Sequence, residues 1–364
     1  MLFKIWFRRF RRVSRNRHIQ RITVAGLIVL CAIALNSACF YFFEKAAKAD
    51  LTLWDSFWLS FTTITTVGYG DYSASTVGGR VATMVLLYGV GLATFPYVIT
   101  QIVDTTVERN NDRRRGLIDC RDLVENHIII VNYPSELRVA SIIEQLSADV
   151  VTAHRPIVIL ADNVDELYFS RSDVYFVRGA PLEEESWQRA NIKMAYSVLI
   201  LAPQTEEHVA DAITASTIAL IETLHPNIRT IAECTSIQHL AIFRSFRCDA
   251  VIPTNNIAAK VLAQEVRDRG LALAVRELLT EAEGSELYSE TVSIDGINFG
   301  ELQSLLLKLK AEVILIGILR DSQHLINPPL DLQIQGTDRL ILIGNRRSDW
   351  EQIHNQLLSV KQPI

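Results

Sequence analysis

Two long runs without a charged residue constrain this chain most. Residues 22–43 and 81–103 contain no Asp, Glu, Lys or Arg. As helices rising about 1.5 Å per residue, both are long enough to cross a hydrocarbon core of about 30 Å. A cleaved signal peptide is the alternative for the first run, but that run exceeds the usual signal core and a second run follows it. The sequence therefore predicts a membrane protein with two spanning helices.

Charge is unevenly divided along the chain. Residues 1–21 hold eight of the 36 Lys and Arg residues and none of the 41 acidic ones, which leaves 28 basic and 41 acidic residues elsewhere. Because this basic N-terminus runs directly into an apolar span, the lipid bilayer is its expected partner and nucleic acid is not. The positive-inside rule then predicts that both termini lie in the cytoplasm.

A third apolar segment lies between the two runs. Residues 51–64 are rich in Leu, Trp and Phe, but as a helix they cover only about two-thirds of a bilayer. Non-helical backbone is tolerated at membrane depth only where protein buries it or where it lines a water-filled cavity. The sequence therefore predicts a pore domain over residues 22–103, with a re-entrant loop at 51–71.

The glycine-bearing end of that loop has the composition of an ion-coordinating segment. A dehydrated ion needs a row of backbone carbonyls aimed at one axis, and the dihedral angles required are ones that most residues resist. Gly68 and Gly70 allow them at little steric cost. Thr66 can add a ring of hydroxyls, while Val67 and Tyr69 can face away and pack behind the strand. Four copies of the loop would close a ring.

Followed by Asp71, these five residues match the selectivity signature of potassium channels, and the chain resembles that family. The resemblance implies a homotetramer in which the carbonyls of residues 66–70 and the Thr66 hydroxyl coordinate K+. It also implies that Trp58 bonds Asp71 behind the filter. Many members carry a glutamate four residues before the filter threonine, where this chain has Thr62. This departure predicts altered slow inactivation of the filter and unchanged selectivity.

The second span is expected to line the pore and to bend. Gly89 and Gly91 lie near its middle, and Pro96 follows them. Glycine costs about 1 kcal/mol relative to alanine inside a helix, and proline removes a hydrogen bond. These three residues predict a gating hinge, and the resemblance implies a hinge glycine at one of the two positions. Close helix packing in lipid is the alternative explanation of the glycines.

After a polar linker at 104–126, short apolar strands alternate with helical segments. Strands are predicted at 127–131, 156–161, 173–177, 197–202, 229–233 and 250–252, and helices at 135–147, 182–191, 206–223, 236–245 and 255–268. This alternation is typical of a parallel sheet covered on both faces. It predicts an α/β Rossmann-like lobe at 127–250, a crossover segment at 251–286, a small α+β lobe at 287–345 and a C-terminal helix at 346–364.

The soluble part resembles the RCK domain, or regulator of K+ conductance, with its TrkA-N-like and TrkA-C-like lobes. Such domains follow the pore in two-span prokaryotic potassium channels of the MthK type. The resemblance implies a prokaryotic plasma membrane location and a gating ring of RCK modules beneath the pore. In those channels, ligand binding changes the shape of the ring and moves the pore-lining helices. Additional RCK subunits can complete such a ring, and their origin here stays open.

Two residues are candidates for binding the regulatory ligand, a nucleotide or a divalent cation. Asp162 ends the second predicted strand, where a ribose-binding acid often stands, although an N-cap is its alternative role. The loop at 132–137 has no glycine to let backbone amides approach a pyrophosphate. Glu233 stands where the calcium-gated relatives carry one of three strand-end acids, but Ala202 and Thr235 take the other two places. Ca²⁺ prefers several charged oxygen ligands, so this set is poor for calcium.

Two other classes of protein remain as alternatives. A membrane-tethered NAD(P)-dependent oxidoreductase would need a phosphate loop and a catalytic His, Lys or Tyr constellation, and the sequence shows neither. A regulatory subunit of a separate K+ transporter would leave residues 51–71 without a role. The five cysteines have neither C-x-x-C spacing nor a disulfide framework. The sequence therefore favours a ligand-gated potassium channel over an enzyme.

Overall fold

The chain divides into two compact units, Met1–Asp112 and Arg113–Ile364. The structure is a computed structural model, and it describes residues 17–168, 171–280, 284–291, 296–309, 311–321, 323–345, 350, 353–355 and 357. The basic N-terminal segment up to residue 16 lies outside these residues, so its predicted contact with lipid stays a prediction.

Most described residues of the first unit are helical. They are α1 (Arg17–Glu44), α2 (Leu53–Ile64), α3 (Val77–Thr83), a π-helical stretch (Met84–Gly91) and α4 (Leu92–Arg114). Two continuous helices, Gln20–Glu44 and Val77–Arg114, are long and apolar enough to cross a membrane. With 12 residues, α2 is too short to cross. The structure thus has two helices capable of spanning a membrane, as the sequence predicts.

Local sequence explains where the short helix begins. Thr52 and Asp55 form a capping box: the Asp55 amide donates to the Thr52 hydroxyl at 3.1 Å, and the Thr52 amide donates to the Asp55 carboxylate at 2.9 Å. The far end of α2 is held by burial, since Ile64 packs with Ile33 of α1 and with Leu87 of the π-helical stretch. Both ends of α2 are thereby fixed, which positions the chain that follows it.

The second unit begins with a parallel sheet. Its strands are β1 (His127–Val131), β2 (Ile157–Ala161), β3 (Val174–Arg178), β4 (Ala195–Ile200), β5 (Arg229–Cys234) and β6 (Ala250–Pro253). All neighbours are parallel, in the order β3-β2-β1-β4-β5-β6. From β1 the strand order runs to β3 on one side, and from β4 it runs to β6 on the other. The switch point between β1 and β4 is where α/β sheets of this kind bind ligands.

Helices cover both faces of this sheet. They are α5 (Glu136–Ala148), α6 (Glu184–Arg189), α7 (Glu207–Leu224) and α8 (Leu240–Ser245), with short 3-10 turns at Cys120–Asp122, Ile192–Met194 and Ile237–His239. Along β1, Ile129 and Val131 enter one buried cluster while Ile128 and Ile130 enter the other. Since both faces are buried, the strands are apolar throughout. The predicted Rossmann-like fold class is confirmed.

One connection differs from the sequence-based expectation. The chain from Asp162 continues as bends, and no helix lies between β2 and β3 within residues 162–168 and 171–173. The alternative role of Asp162 as a helix N-cap is therefore wrong. The Asp162 side chain lies exposed just beyond the carboxyl end of β2, and its role in cofactor binding stays a prediction.

Two helices and a smaller lobe complete the second unit. They are α9 (Thr254–Arg267), α10 (Leu271–Leu278), β7 (Glu286–Thr291), β8 (Ile297–Asn298), α11 (Phe299–Lys308), β9 (Val313–Arg320), β10 (Gln323–Ile326), β11 (Gln333–Ile334) and β12 (Arg339–Gly344). The main sheet of this lobe is antiparallel, in the order β10-β9-β12-β7, which agrees with the α+β prediction.

Most of the predicted C-terminal helix, 346–364, lies outside the described residues. Of those that are described, Trp350, Ile353 and Leu357 pack into the core of the smaller lobe. They lie three and four residues apart, which places them on one face of a helix. That face of the segment is therefore apolar and buried.

Candidate functional site

The glycine-bearing segment after α2 has an alternating backbone. Thr66, Gly68 and Gly70 have φ angles of 64°, 53° and 76°, and they alternate with Val67 and Tyr69, which are not left-handed. Alternation of handedness turns successive peptide units the same way, whereas a pleated strand points them to opposite sides. This is the backbone pattern that a row of carbonyls aimed at one axis requires. The predicted ion-coordinating role of these five residues is consistent with it.

The carbonyl of Thr62 holds the start of this segment. It accepts hydrogen bonds from the amides of Val67 at 3.0 Å and Gly68 at 3.1 Å. The Thr66 amide donates to the Thr63 carbonyl at 3.0 Å. These bonds connect the end of α2 to residues 66–68, so main-chain contacts set the conformation at the start of the segment.

The far end of the segment is held by side chains. The indole Nε1 of Trp58 donates to the Asp71 carboxylate at 2.9 Å, which is the bond that the family resemblance implies. The Trp58 ring also stacks on Tyr69, with ring centroids 5.7 Å apart and planes inclined by 5°. The Tyr72 hydroxyl donates to Asp55 at 2.9 Å. Aromatic side chains thus support the segment from behind.

Thr62 stands where many potassium channels carry a glutamate. Its hydroxyl donates back to the carbonyls of Trp58 at 2.9 Å and Leu59 at 3.2 Å, and the side chain is buried. The Thr62 hydroxyl thus bonds its own helix, whereas the Thr62 carbonyl bonds the amides of Val67 and Gly68. The predicted effect on slow inactivation remains untested.

A buried carboxylate that sequence reasoning missed lies at the end of the first span. Glu44 accepts hydrogen bonds from the amides of Ser75 at 3.0 Å and Thr76 at 2.8 Å, and from both of their hydroxyls. A Cβ on Gly79 would lie 2.4 Å from the Glu44 Oε1. Glu44 thereby fixes the loop between the filter and the second span. An acid directly after an apolar span is the signal that could have found it.

The three predicted hinge residues differ in their surroundings. Gly91 ends the π-helical stretch and is buried, and a Cβ there would lie 2.8 Å from the Ile64 side chain. Gly89 is exposed, and a Cβ there would meet nothing closer than the Met84 carbonyl at 3.5 Å. Pro96 lies inside α4. Gly91 is thus closely packed against Ile64 and Gly89 is not, and the hinge role of Gly89, Gly91 and Pro96 stays a prediction.

In the second unit, an arginine occupies the position of the candidate cation. The Glu233 carboxylate accepts from the Arg138 guanidinium at 2.6 Å, the Thr254 hydroxyl at 2.8 Å and the Ala202 amide at 2.8 Å. No group of three or more His, Cys, Asp or Glu side chains suited to a metal occurs among the described residues. These residues do not fit a calcium ion, because both oxygens of the single acid are engaged and Arg138 supplies the positive charge.

A second buried acid, Asp211 of α7, binds the chain that follows β5. Asp211 accepts hydrogen bonds from the Thr235 amide at 2.7 Å, the Ser236 amide at 3.0 Å and the His239 ring at 2.7 Å. Burial by itself would raise the pKa of Asp211, but these hydrogen bonds outweigh it and hold the pKa below its ordinary value. Thr235, which stands where the calcium-gated relatives carry an acid, thus binds the Asp211 carboxylate.

The loop that would have to cradle a nucleotide is closed by a side chain. Asn132, directly after β1, adopts a φ of 69° and is buried. Its side-chain amide donates to the Leu201 carbonyl at 2.7 Å. This bond links the ends of β1 and β4 across the switch point of the sheet. Together with the missing glycines, it makes tight dinucleotide binding at this loop unfavourable.

Two family models match the chain. Residues 28–108 match the family described as "Ion channel", and residues 123–232 match "Calcium-activated potassium channel slowpoke-like RCK domain". The first match contains the short helix and the alternating backbone. The second contains the first four strands of the parallel sheet and most of the fifth.

Two curated proteins are similar over most of their length. The calcium-gated potassium channel TvoK of Thermoplasma volcanium is 26% identical over 303 residues, which cover 81% of this chain and 83% of that protein. The putative potassium channel protein YugO of Bacillus subtilis is 24% identical over 321 residues, covering 87% of this chain and 94% of that protein.

Among solved structures, the human SLO3 gating ring is similar in fold. The TM-score is 0.51 and the sequence identity 18%, over 62% of this chain and 45% of that one. The chain therefore spans about half of the gating-ring structure it matches. This similarity concerns the fold alone.

Proposed function

Because this chain is a potassium channel that carries an RCK domain, we propose that four copies assemble around one axis and pass K+ through residues 66–70. The observation that carries this proposal is the alternation of left-handed residues at Thr66, Gly68 and Gly70. In one chain the segment is open to solvent, with Val67 and Tyr69 exposed. Four such segments facing each other would replace the hydration shell of a monovalent cation.

The test is a measurement of ion selectivity. The full chain, reconstituted in planar bilayers with K+ on one side and Na+ on the other, is expected to give a reversal potential that favours K+. Gly68→Ala is expected to abolish K+ current, because alanine resists a φ of 53°. The matched control is Gly26→Ala, since a Cβ on Gly26 in α1 meets nothing within 4 Å. Equal permeability to the two ions would contradict the proposal.

We further propose that a ligand on the RCK domain controls the pore. The relative TvoK is named as calcium-gated, but in this chain Ca²⁺ at Glu233 would have to displace the Arg138 guanidinium. The proposed ligand is therefore a nucleotide or a divalent cation bound elsewhere than at Glu233. Recording single channels while Ca²⁺, Mg²⁺, ADP and NAD are varied separately on the RCK side would identify it. A channel indifferent to all four would count against these two ligand classes.

The proposed membrane arrangement follows from charge. We propose a prokaryotic plasma membrane in which both termini and the RCK domain face the cytoplasm, because the arginine-rich segment precedes the first span. Labelling a single added cysteine at an exposed RCK position from each side of intact cells tests this orientation. Both relatives are named as potassium channels, which is consistent with the absence of enzymatic activity.

A further inference from the structure

The chain that leaves the second span is fastened to one strand of the RCK lobe. Helix α4 ends at Arg114, and Leu117 then forms an isolated antiparallel bridge with Val177 of β3. The Arg178 amide donates to the Gly116 carbonyl at 2.9 Å. Since β3 is an edge strand of the six-stranded sheet, its outer edge has unpaired backbone groups that can take up an added residue.

Arg189 of α6 strengthens this attachment. Its guanidinium donates to the Gly116 carbonyl and, at 3.1 Å, to the Ile118 carbonyl. The same group donates to the Arg178 carbonyl at 2.9 Å. One arginine thus joins both the departing chain and the edge strand, and the planar fork of guanidinium donors gives the contact a fixed geometry.

A second arginine, Arg113 at the end of α4, also bonds the backbone at β3. Arg113 donates to the Val174 carbonyl at 3.0 Å and also bonds the Ser172 carbonyl. Its guanidinium lies over the Tyr175 ring, 4.5 Å from the centroid. Stacking on Tyr175 combined with two hydrogen bonds from the Nη2 nitrogen restrains Arg113 more than a single contact would.

The backbone around Gly116 is closely packed against β3. Gly116 is buried and left-handed, with a φ of 67°, and a Cβ there would lie 2.4 Å from the Arg178 amide nitrogen. The last helical carbonyl, that of Arg114, accepts from the Leu167 amide at 2.9 Å. These contacts lie between the two matched family regions, which end at residue 108 and resume at residue 123.

We propose that residues 113–118 are a stiff joint, held by Arg113 and Arg189, that transmits movement of the first RCK lobe to the second span. This inference rests on the proposed control of the pore by the RCK domain. A flexible connection of the same length would absorb small displacements through its own conformational freedom. A joint fixed to β3 and α6 transmits these displacements. A change in the shape of the ring therefore moves the end of α4. Arg113 and Arg189 are positioning residues in this account.

The test breaks the joint in the full-length channel in two ways. The double variant Arg113→Gln, Arg189→Gln removes the two guanidinium groups, and Gly116→Ala blocks the close approach without a change of charge. Arg171→Gln is the matched control, because Arg171 on the same edge pairs with Asp173 and Ser147 instead. Single channels are recorded with Ca²⁺ alone and with ADP alone as probes on the RCK side.

Both joint variants are expected to lose the response of open probability to the probe by about tenfold or more, within the range typical of coupling between sites. Conductance and K+ selectivity are expected to stay at wild-type values, which a general loss of folding would not allow. The melting temperature of Gly116→Ala is expected to fall, because its Cβ would lie 2.4 Å from the Arg178 amide nitrogen. Arg171→Gln is expected to behave as the wild type. A wild-type response in either joint variant would overturn the proposal.

Hydrogen exchange gives an independent readout of the joint. The Arg178 amide is expected to be protected in the wild type and to exchange about tenfold faster in the double variant. If the wild-type channel responds to neither probe, the proposed ligand control by these compounds is contradicted, and exchange then decides the joint. Equal exchange in wild type and double variant would overturn it, and faster exchange in the variant would support it.

Discussion

Thr66 combines a proposed ion-coordinating role with backbone strain. A β-branched residue in the left-handed region is an outlier that costs about 1–3 kcal/mol, and Thr66 has a φ of 64°. The surrounding bonds hold this conformation, since the next two amides both donate to the Thr62 carbonyl. A glycine would remove the strain but also the hydroxyl, which in the proposed function coordinates the ion.

Trp58→Phe separates support of the filter from its selectivity. Phenylalanine keeps an aromatic ring against Tyr69 but loses the bond to Asp71 at 2.9 Å. A hydrogen bond to a charged group contributes about 1.5–3 kcal/mol, so the filter is expected to leave its conducting state about tenfold faster or more. Burst durations in single-channel records measure this, and the reversal potential is expected not to change.

Trp54→Phe is the matched control, because the Trp54 ring stacks on Phe57 and is largely exposed in one chain. Wild-type burst durations in Trp58→Phe would show that the bond to Asp71 does not support the conducting filter. A change in the reversal potential would show that the bond also sets selectivity.

His127 is expected to make the stability of the second unit depend on pH. Burial lowers the pKa of His127, and the hydrogen bond to the Ala190 carbonyl only partly offsets this. The folded protein therefore binds fewer protons here than the unfolded chain. Stability from this residue is full above the ordinary histidine pKa of about 6.5 and falls as the pH drops below it, by at most about 1.4 kcal/mol per pH unit.

Calorimetry of the full-length channel between pH 7.5 and about pH 5 measures this dependence. His127→Gln is expected to be less stable at neutral pH and to show a flatter dependence over that interval. His208→Gln is the control, because the His208 side chain is exposed, with its Nε2 3.5 Å from the exposed Glu206 carboxylate. An unchanged slope in His127→Gln would show that another group titrates.

At the scale of an element, the second span is not a uniform helix. Its π-helical stretch, Met84–Gly91, precedes Pro96, and the Leu92 amide donates to the Leu87 carbonyl, five residues earlier. Such stretches are uncommon and often lie at functional sites. The predicted flexibility near Gly89 and Gly91 thus coincides with an irregular backbone, although only one of the glycines is needed for packing.

Alanine at each glycine distinguishes hinge from packing. Gly91→Ala is expected to reduce stability by about 1–3 kcal/mol, because its Cβ overpacks Ile64. Gly89→Ala is expected to stabilise the helix by up to about 1 kcal/mol and to lower the open probability. Thermal melting and single-channel recording of the two variants measure these effects. A normal open probability in Gly89→Ala would leave Gly89 without a hinge role.

At the scale of the whole molecule, the crossover helices expose apolar surface that a single chain leaves uncovered. None of the residues in α9 and α10 is buried, and their exposed apolar side chains include Leu262, Val266 and Leu273. Contiguous apolar surface of this kind marks a site of association. RCK gating-ring structures are oligomers, and we expect these helices to contact a second RCK module.

Charge on these helices is expected to prevent ring formation. Val266, which is 88% exposed, and Leu262 lie four residues apart, so Leu262→Glu with Val266→Glu places two carboxylates on one face. The double variant is expected to remain a tetramer through the pore while its RCK modules separate, which cross-linking of the full-length protein detects. Leu137→Glu is the control, since Leu137 is 86% exposed on α5. Unchanged cross-linking would place the interface elsewhere.

Local patterns in the amino-acid sequence were sufficient to predict the two apolar helices, the unusual backbone at the two glycines and the parallel strands. The uncharged runs predict the spans because hydrocarbon excludes charge over a fixed thickness, and two glycines predict the unusual backbone because few residues tolerate it. All six strands of the parallel sheet were predicted within a few residues, because strands buried on both faces are apolar throughout. Signals of this kind depend on neighbours along the chain.

Only the tertiary structure decided what the polar side chains do. Glu44 meets Ser75 and Thr76 across 31 and 32 residues, Arg138 meets Glu233 across 95, and Arg189 meets Gly116 across 73. No periodicity predicts such pairs, since each depends on how strands and helices are ordered in space. The sheet order that carries β3 to the edge, and so makes it available to residues 113–118, is itself a property of long-range packing.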